Sequence, residues 1–146
     1  MPDRYIRPDW FTAHIFNPLV QWLTRLGISV YGSRMLAVRG RRSGQWRTTP
    51  VNLLEYRGQR YLVAPRGVTD WVKNIRVSGE GELWLGSRRE PIKVVEVTGD
   101  EKIDILRAYL RKWKWEVGQF FEGVGPDASD EQLKRAATKH PIFRIL

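Results

Sequence analysis

Short apolar runs, separated by turn residues, fill the middle of the chain. Several of them alternate apolar with polar positions and are rich in β-branched and aromatic residues, which is typical of half-buried strands. The compact sequence Arg57-Gly58-Gln59 between two of these runs suits a tight hairpin, so neighbouring runs are expected to pair in antiparallel fashion. We predict six strands, at residues 35–39, 48–56, 60–65, 81–85, 91–97 and 141–146.

Apolar residues recur with helical spacing near the start of the chain and again after the fifth predicted strand. From Trp10 to Leu26 they mark one face of an amphipathic helix, and Gly27 is placed to end it. The later segment follows Thr98-Gly99-Asp100-Glu101, which has the spacing of a capping box. Its apolar face consists of Ile103, Leu106, Leu110 and Trp113.

Two shorter helices are indicated by the residues that would cap them. Thr69 or Asp70 suits the start of a helix that runs through Val77. The sequence Ser129-Asp130-Glu131-Gln132 repeats the capping box before a polar helix that extends to Lys139. Residues 118–127, rich in glycine and aromatic side chains, are predicted to form a loop between the two capped helices.

This order of elements predicts the class α+β. Short strands with turns between them, one helix in front and further helices near the end suggest a small antiparallel β-barrel with an N-terminal helix and peripheral helices. At 146 residues the chain is long enough to bury its own core. We therefore expect a single domain over residues 1–146, with residues 1–27 as an N-terminal helical segment within it.

The chain is strongly basic, with a formal net charge of +9. This excess favours an anionic partner, which is a nucleic acid, an acidic membrane surface, or a phosphorylated or carboxylated small molecule. Because the sequence contains no cysteine, disulfides and thiol nucleophiles are excluded. The two histidines are far apart in the sequence, so no metal site is expected. Motifs of the dinucleotide-binding, P-loop and nucleophile-elbow kinds are absent from the sequence.

The positive charge is concentrated in one predicted turn, from Arg39 to Pro50. This segment carries four arginines, two glycines and three hydroxyl side chains between two apolar runs. Arginine binds phosphate or carboxylate through two parallel hydrogen bonds, and glycine lets the backbone approach a ligand closely. We interpret the segment as an anion-binding turn, and the alternative is a solvated hairpin tip. Together with the aromatic residues that follow, it suits a planar, anionic ligand.

Three motifs in this region resemble one known family. They are Gly40-Arg41-Arg42-Ser43-Gly44-Gln45-x-Arg47-x-x-Pro50, then Tyr61 to Gly67, then Trp71-x-x-Asn74-Ile75-Arg76. In sequence and order they are similar to the deazaflavin-dependent nitroreductase family of actinobacteria, which belongs to the split-β-barrel flavin and deazaflavin oxidoreductases. The resemblance implies a split barrel that binds reduced 8-hydroxy-5-deazaflavin (coenzyme F-420) and transfers a hydride to a quinone, an enone or a nitro compound.

The resemblance also assigns site residues by position. The cofactor-binding set that it implies is Arg41, Arg42, Ser43, Gly44, Gln45, Thr48, Thr49, Ala64, Arg66, Gly67, Trp71, Asn74 and Arg76. For the acceptor pocket, the aromatic C-terminal part and one strand position suggest Asn52, Tyr109, Trp115 and Phe120, with Trp113 in the core. No catalytic acid or base is assigned, because hydride transfer from a bound cofactor depends on positioning.

Several alternatives stay open from the sequence. FMN is the rival cofactor, a non-catalytic deazaflavin carrier is a rival role, and a nucleic-acid-binding barrel is a rival class. The expected partner is a small-molecule hydride acceptor rather than a nucleic acid. A cytoplasmic protein is expected, since no signal peptide is visible. Residues 10–26 also suggest peripheral contact with the inner face of the membrane, although packing on the barrel is the commoner use of such a helix.

Overall fold

The computed structural model describes residues 32–146. The predicted helix at residues 10–26, its proposed membrane contact and the segment 1–27 therefore lie outside the described residues. Among the residues that are described, no helix is long and apolar enough to span a membrane.

Six antiparallel strands form a closed barrel with the order β1-β2-β3-β6-β5-β4, in which β4 pairs again with β1. All six predicted strands are present, and their ends differ from the prediction by a few residues. The strands are β1 (Ser33–Arg39), β2 (Trp46–Tyr56), β3 (Gln59–Val63), β4 (Glu80–Leu85), β5 (Arg88–Glu96) and β6 (Ile142–Ile145).

Tight turns set the register of two of the hairpins. Between β2 and β3, Arg57 and Gly58 have φ values of 51° and 76°. Two consecutive positive values belong to the two-residue turn whose twist matches that of the paired strands. Gly86, with φ 62°, opens the turn between β4 and β5. The predicted hairpin between β2 and β3 is thus confirmed, and β5 begins at Arg88, directly after the second turn.

Alternation along β2 separates two apolar clusters. Val51 and Leu53 point into the barrel interior, where they pack with the inward residues of the other strands. Leu54, on the opposite face, belongs to a second cluster between the barrel wall and the later helices. Asn52 is buried on the same outer face as Leu54, because side chains two positions apart share a face of a strand. A polar side chain thus lies under the helical layer.

Within residues 32–146, three α-helices accompany the barrel: α1 (Asp70–Ser78), α2 (Glu101–Val117) and α3 (Asp130–Ala137). Helix α1 buries Val72 and Ile75 in the interior cluster, and Gly79 ends it in the left-handed conformation. Helices α2 and α3 pack on the outer cluster. As a result, α1 lies next to the start of β2, and α2 lies over the middle of β2.

Two local predictions need correction. Asp100 is the N-cap of α2, and its side chain makes no capping hydrogen bond, so the predicted box at 98–101 does not form. Residues 118–127 are not entirely loop, because Gly118–Phe121 form a 3-10 helix whose two phenylalanines are buried in the outer cluster. The burial of both rings favours the helical turn. By contrast, the box at Ser129 is confirmed, with both of its hydrogen bonds present.

Candidate functional site

The arginine-rich segment connects β1 to β2, and its backbone closes on itself. The Gly40 N–H donates to the Gln45 carbonyl at 2.8 Å, and the Gly44 N–H donates to the Gly40 carbonyl at 2.9 Å. Gly44 has φ 71°, a conformation that glycine adopts without strain. The Ser43 hydroxyl accepts a hydrogen bond from the Gln45 N–H at 3.2 Å. Gly44 and Gln45 therefore shape the turn.

Helix α1 holds this turn through one buried amide. The Asn74 Oδ1 atom accepts hydrogen bonds from the Arg41 N–H at 3.0 Å and from the Arg41 Nη1 at 2.8 Å. Asn74 is 4% exposed, and Asp70 lies 3.7 Å from the same guanidinium. Asn74 thus supports the turn from behind by binding its backbone.

A basic cleft with a volume of about 540 Å³ lies between the arginine-rich turn, β2 and α1. Within the described part of the chain its wall holds four arginines and one acidic residue, together with four hydroxyl side chains. We call this the basic cleft; its lining residues are Gly40, Arg41, Arg42, Ser43, Arg47, Thr48, Thr49, Arg66, Thr69, Asp70, Trp71 and Asn74. A cleft of this size, charge and donor content matches a cofactor-sized anion.

A much smaller cavity adjoins the basic cleft. Its volume is about 20 Å³, close to that of one water-sized group. Thr49, Arg66, Thr69 and Trp71 line both cavities, so the two adjoin. We call this smaller cavity the inner recess; its lining residues are Thr49, Pro50, Val51, Asn52, Val63, Pro65, Arg66, Thr69, Trp71 and Tyr109.

A buried polar cluster forms the far wall of the inner recess. The Asn52 Nδ2 donates to the Glu116 Oε2 at 3.1 Å, and the Asn52 amide lies beside the Tyr109 hydroxyl. Burial raises the pKa of Glu116, and the Asn52 hydrogen bond partly offsets that rise. Burial, and secondarily the charge of Glu116, raises the pKa of Tyr109 well above its ordinary range. Tyr109 therefore stays a neutral phenol.

Most of the expected site residues come together in these two cavities. From the cofactor-binding set, the basic cleft is lined by Arg41, Arg42, Ser43, Thr48, Thr49, Arg66, Trp71 and Asn74. From the acceptor set, Asn52 and Tyr109 line the inner recess. Ala64 and Gly67 lie in the connection after β3, where the Gly67 N–H donates to the Ala64 carbonyl at 3.2 Å. They shape this connection without contributing to either wall.

Three expected site residues lie elsewhere. Arg76 is at the outer side of α1 and forms a two-point ion pair with Glu96, with distances of 2.9 and 2.8 Å. Trp115 is 71% exposed on α2, and Phe120 is fully buried in the outer cluster. None of the three lines the basic cleft or the inner recess. Helical phase explains Arg76, since it is two positions from Asn74 and so faces away from it. Trp113 is in the core, as expected.

The sequence analysis did not identify Thr69, which lines both cavities, or Glu116, which lies behind the inner recess and accepts a hydrogen bond from Asn52. Thr69 was considered only as a cap, yet its side chain makes no capping hydrogen bond and it lines both cavities. Glu116 is 8% exposed on α2. Its position was visible as a signal, because Glu116 follows Tyr109 and Trp113 at helical spacing and therefore places a carboxylate on an apolar face.

The chain is similar in sequence to one known family. A family model described as F420H(2)-dependent quinone reductase matches residues 22–119. A search of curated proteins found no match.

Solved structures share the fold at low identity. An "F420-H2 Dependent Reductase (FDR-A)" is 16% identical with a TM-score of 0.56, covering 79% of this chain and 94% of its own. A protein solved as a domain-swapped dimer is 15% identical with a TM-score of 0.58, covering 94% and 98%. A NimC/NimA family protein from Clostridium acetobutylicum is 15% identical with a TM-score of 0.50, covering 88% and 82%. The α+β split-barrel prediction is thereby confirmed.

The family match covers about two thirds of the chain, including the arginine-rich turn, the whole of α1 and the whole of α2. The chain therefore belongs to the F420H(2)-dependent quinone reductase family and is an oxidoreductase whose cofactor is the reduced deazaflavin.

Proposed function

We propose that this reductase binds the deazaflavin in the basic cleft and reduces a quinone-type acceptor whose oxygen enters the inner recess. The observation that carries the proposal is that two cavities share part of their walls, one of them basic and cofactor-sized, the other small and partly polar. Hydride transfer needs a donor and an acceptor held in contact, and adjoining cavities meet that need.

The residues of the basic cleft fit the acidic part of this cofactor. Its phosphate and glutamyl carboxylates call for several cations, and Arg41, Arg42 and Arg47 stand together on the turn and the start of β2. Guanidinium groups bind such anions through paired hydrogen bonds. The N-terminus of α1 adds partial positive charge to the same wall, where Thr69 offers a hydroxyl that does not cap the helix. We assign the tail of the cofactor to this part of the cleft.

The ring of the cofactor is assigned to the end of the cleft that meets the inner recess. Trp71 offers a flat aromatic surface there, and Thr49 and Arg66 offer polar contacts to a ring edge. When bound, the reduced deazaflavin supplies the hydride. The protein then has to orient the two reactants and exclude water, which the buried wall of Val51, Asn52 and Val63 supports.

Size and polarity favour a quinone among the acceptor classes. The inner recess has room for about one small group, such as a carbonyl oxygen, while a flat ring has room only in the wider cleft. Nitro compounds present two oxygens on one nitrogen, which a recess of this volume accommodates less well. Enones offer a single oxygen and are expected to be slower substrates of the same site.

Anaerobic turnover tests the proposal. Purified protein is mixed with reduced deazaflavin and, in separate reactions, with menadione, an enone and a nitroaromatic compound, and oxidation of the deazaflavin is followed by absorbance. We expect saturable oxidation with menadione as the preferred acceptor. Reduced FMN in place of the deazaflavin is the control for cofactor choice. Binding of deazaflavin without turnover of any acceptor would indicate a carrier and would contradict the proposal, and turnover restricted to the nitro compound would contradict the acceptor class.

A further inference from the structure

The polar cluster behind the inner recess links a helix to the barrel wall through three side chains. Asn52 on β2 occupies its centre, with Glu116 and Tyr109 of α2 on either side. Each of the three is less than a tenth exposed. Burying an amide, a carboxyl group and a phenol together is costly unless each one satisfies the others.

Two residues of the cluster, Tyr109 and Asn52, line the recess. The Tyr109 ring packs against Trp113 and Phe121, with centroid distances of 5.1 and 6.4 Å. Its hydroxyl lies beside the Asn52 amide, and both residues line the inner recess. The hydroxyl end of Tyr109 is therefore the part that meets the recess. Glu116 lines neither cavity and touches this wall only through Asn52.

A hydroxyl in this position can stabilise the negative charge that forms when a carbonyl compound is reduced. As the hydride arrives, negative charge develops on the acceptor oxygen, and a preorganised neutral donor in a water-poor site stabilises that charge. Tyr109 is suited to this task because its pKa is raised, so the phenol keeps its proton and remains a donor. A donor held in a recess for one small group also favours the approach of one particular atom of the acceptor.

We propose that Tyr109 donates a hydrogen bond to the acceptor oxygen during reduction, and that Asn52 and Glu116 are positioning residues that hold the Tyr109 hydroxyl in place. This inference rests on the proposed function, since it takes the inner recess as the acceptor site. The hydride comes from the reduced cofactor, which is oxidised, and the acceptor is reduced. Solvent water accepts the proton that the cofactor releases and supplies the proton that completes the reduced acceptor, so Tyr109 is unchanged.

The role assigned to Glu116 predicts a difference between two substitutions. Glu116→Gln keeps a side-chain oxygen that accepts the Asn52 Nδ2 hydrogen bond, whereas Glu116→Leu removes the acceptor and leaves the amide free to rotate. The experiment measures kcat with menadione and reduced deazaflavin, together with Kd for the oxidised cofactor. It compares wild type, Tyr109→Phe, the two Glu116 variants and the double variant Tyr109→Phe with Glu116→Leu. Glu131→Gln, an exposed glutamate of α3, is the matched control.

We expect Tyr109→Phe to lower kcat about 10- to 100-fold, which is the range for losing one hydrogen bond to developing charge. The Kd of the oxidised cofactor should stay within about twofold of wild type, since Tyr109 lies outside the basic cleft. Glu116→Leu should approach the loss of Tyr109→Phe, and Glu116→Gln should stay within about threefold of wild type. The double variant should be no slower than Tyr109→Phe, because residues that act through one another are not additive.

Two results would overturn the inference. One is an unchanged kcat in Tyr109→Phe, and the other is a double variant in which the two losses multiply, which would give Glu116 an independent, structural effect. If Glu116→Leu does not fold, Asn52→Ala replaces it in the same cycle with the same expected non-additivity. Failure of wild type to oxidise the reduced cofactor would count against the proposed function instead, so the two failures are distinguishable.

Discussion

Arg42 has an exposed guanidinium on the wall of the basic cleft, so we expect it to contribute little to the stability of the fold. We predict that Arg42→Ala weakens binding of the oxidised deazaflavin by about 1.5–3 kcal/mol, the range for losing a charge-assisted hydrogen bond. Isothermal titration of the two proteins measures the difference. The unfolding midpoint without ligand should be nearly unchanged.

Arg135→Ala is the control for the loss of one positive charge, because Arg135 is exposed on α3 and lies outside the basic cleft. It should bind the cofactor as wild type does. An Arg42→Ala protein that loses stability without ligand as much as it loses affinity would mean that the arginine supports the fold, and the assignment of the turn would then be wrong.

Asn74 connects the fold to the site, because its Oδ1 accepts both Arg41 hydrogen bonds from a buried position. Asn74→Ala leaves the Arg41 N–H without this acceptor and releases the turn from α1. We expect a loss of about 1–3 kcal/mol in unfolding free energy and weaker cofactor binding in the same protein. Chemical denaturation and titration measure the two effects. If Asn74→Ala has the unfolding free energy and the cofactor affinity of wild type, Asn74 does not belong to the site.

Glu116 should give the protein a pH-dependent stability of known sign. Burial raises its pKa above the ordinary value of 4.5, so the unfolded chain releases this proton at a lower pH than the folded protein does. The stability associated with the protonated side chain is complete below pH 4.5 and is lost as pH rises through the raised folded pKa.

Glu116→Gln removes this titration, so its stability relative to wild type should increase as pH rises above 4.5. Urea denaturation of both proteins across this range measures the difference. Glu131→Gln, exposed on α3, should show a flat difference over the same pH values. A flat difference for Glu116→Gln as well would contradict the burial effect.

The sequence indicated a functional role for single residues whose chemistry differs from that of their neighbours in the sequence. The arginines of the turn were visible because charge was concentrated between two apolar runs. Arg76 was misplaced because a motif gives spacing without direction, and its partner Glu96 is twenty residues away in the sequence. The pairing of Asn52 with Glu116 joins positions 64 apart, so only the tertiary fold brings them together.

Among the elements, the contact between β1 and β4 closes the barrel, and Gly81 permits it. A Cβ atom at this position would lie 2.7 Å from the Ala37 carbonyl oxygen. That oxygen is backbone and cannot rotate away, so the strands would have to separate. We predict that Gly81→Ala lowers the unfolding free energy by about 1–3 kcal/mol, as overpacked sites do. Thermal denaturation against Ser87→Ala, at the exposed tip of the β4–β5 turn, measures it.

An unchanged thermal unfolding midpoint in Gly81→Ala would contradict this prediction. It would show that β1 and β4 can move apart more easily than their pairing at Ala37 and Glu82 implies.

Element types were well predicted because strand alternation and helical spacing are local properties of the sequence. Element ends were harder. The Ser129 box forms with both hydrogen bonds, while the box at residues 98–101 gives way to an N-cap at Asp100. The two segments have the same spacing, so spacing alone does not decide whether a box forms. Tertiary packing likewise turned part of the 118–127 segment into a short helix, because Phe120 and Phe121 are buried there.

For the whole molecule, the antiparallel barrel followed from short strands and tight turns, but the order of its strands did not. The order β1-β2-β3-β6-β5-β4 places the last strand of the chain between β3 and β5, which no local pattern specifies. This arrangement lets α1 and α2 approach β2 from different sides, and it is how the basic cleft and the inner recess come to adjoin. The site therefore depends on long-range topology, although most of its residues were visible in the sequence.

The net charge of +9 matters to function mainly where it is focused, in the basic cleft. We infer that this cleft holds the acidic tail of the deazaflavin. A paired titration tests it most directly, with the complete oxidised cofactor and with its ring fragment that lacks the phosphate and the glutamyl carboxylates. We predict much tighter binding of the complete cofactor, with an advantage that shrinks as added salt screens the arginines. Equal affinity for the two ligands, independent of salt, would contradict the assignment of the cofactor's acidic tail to the basic cleft.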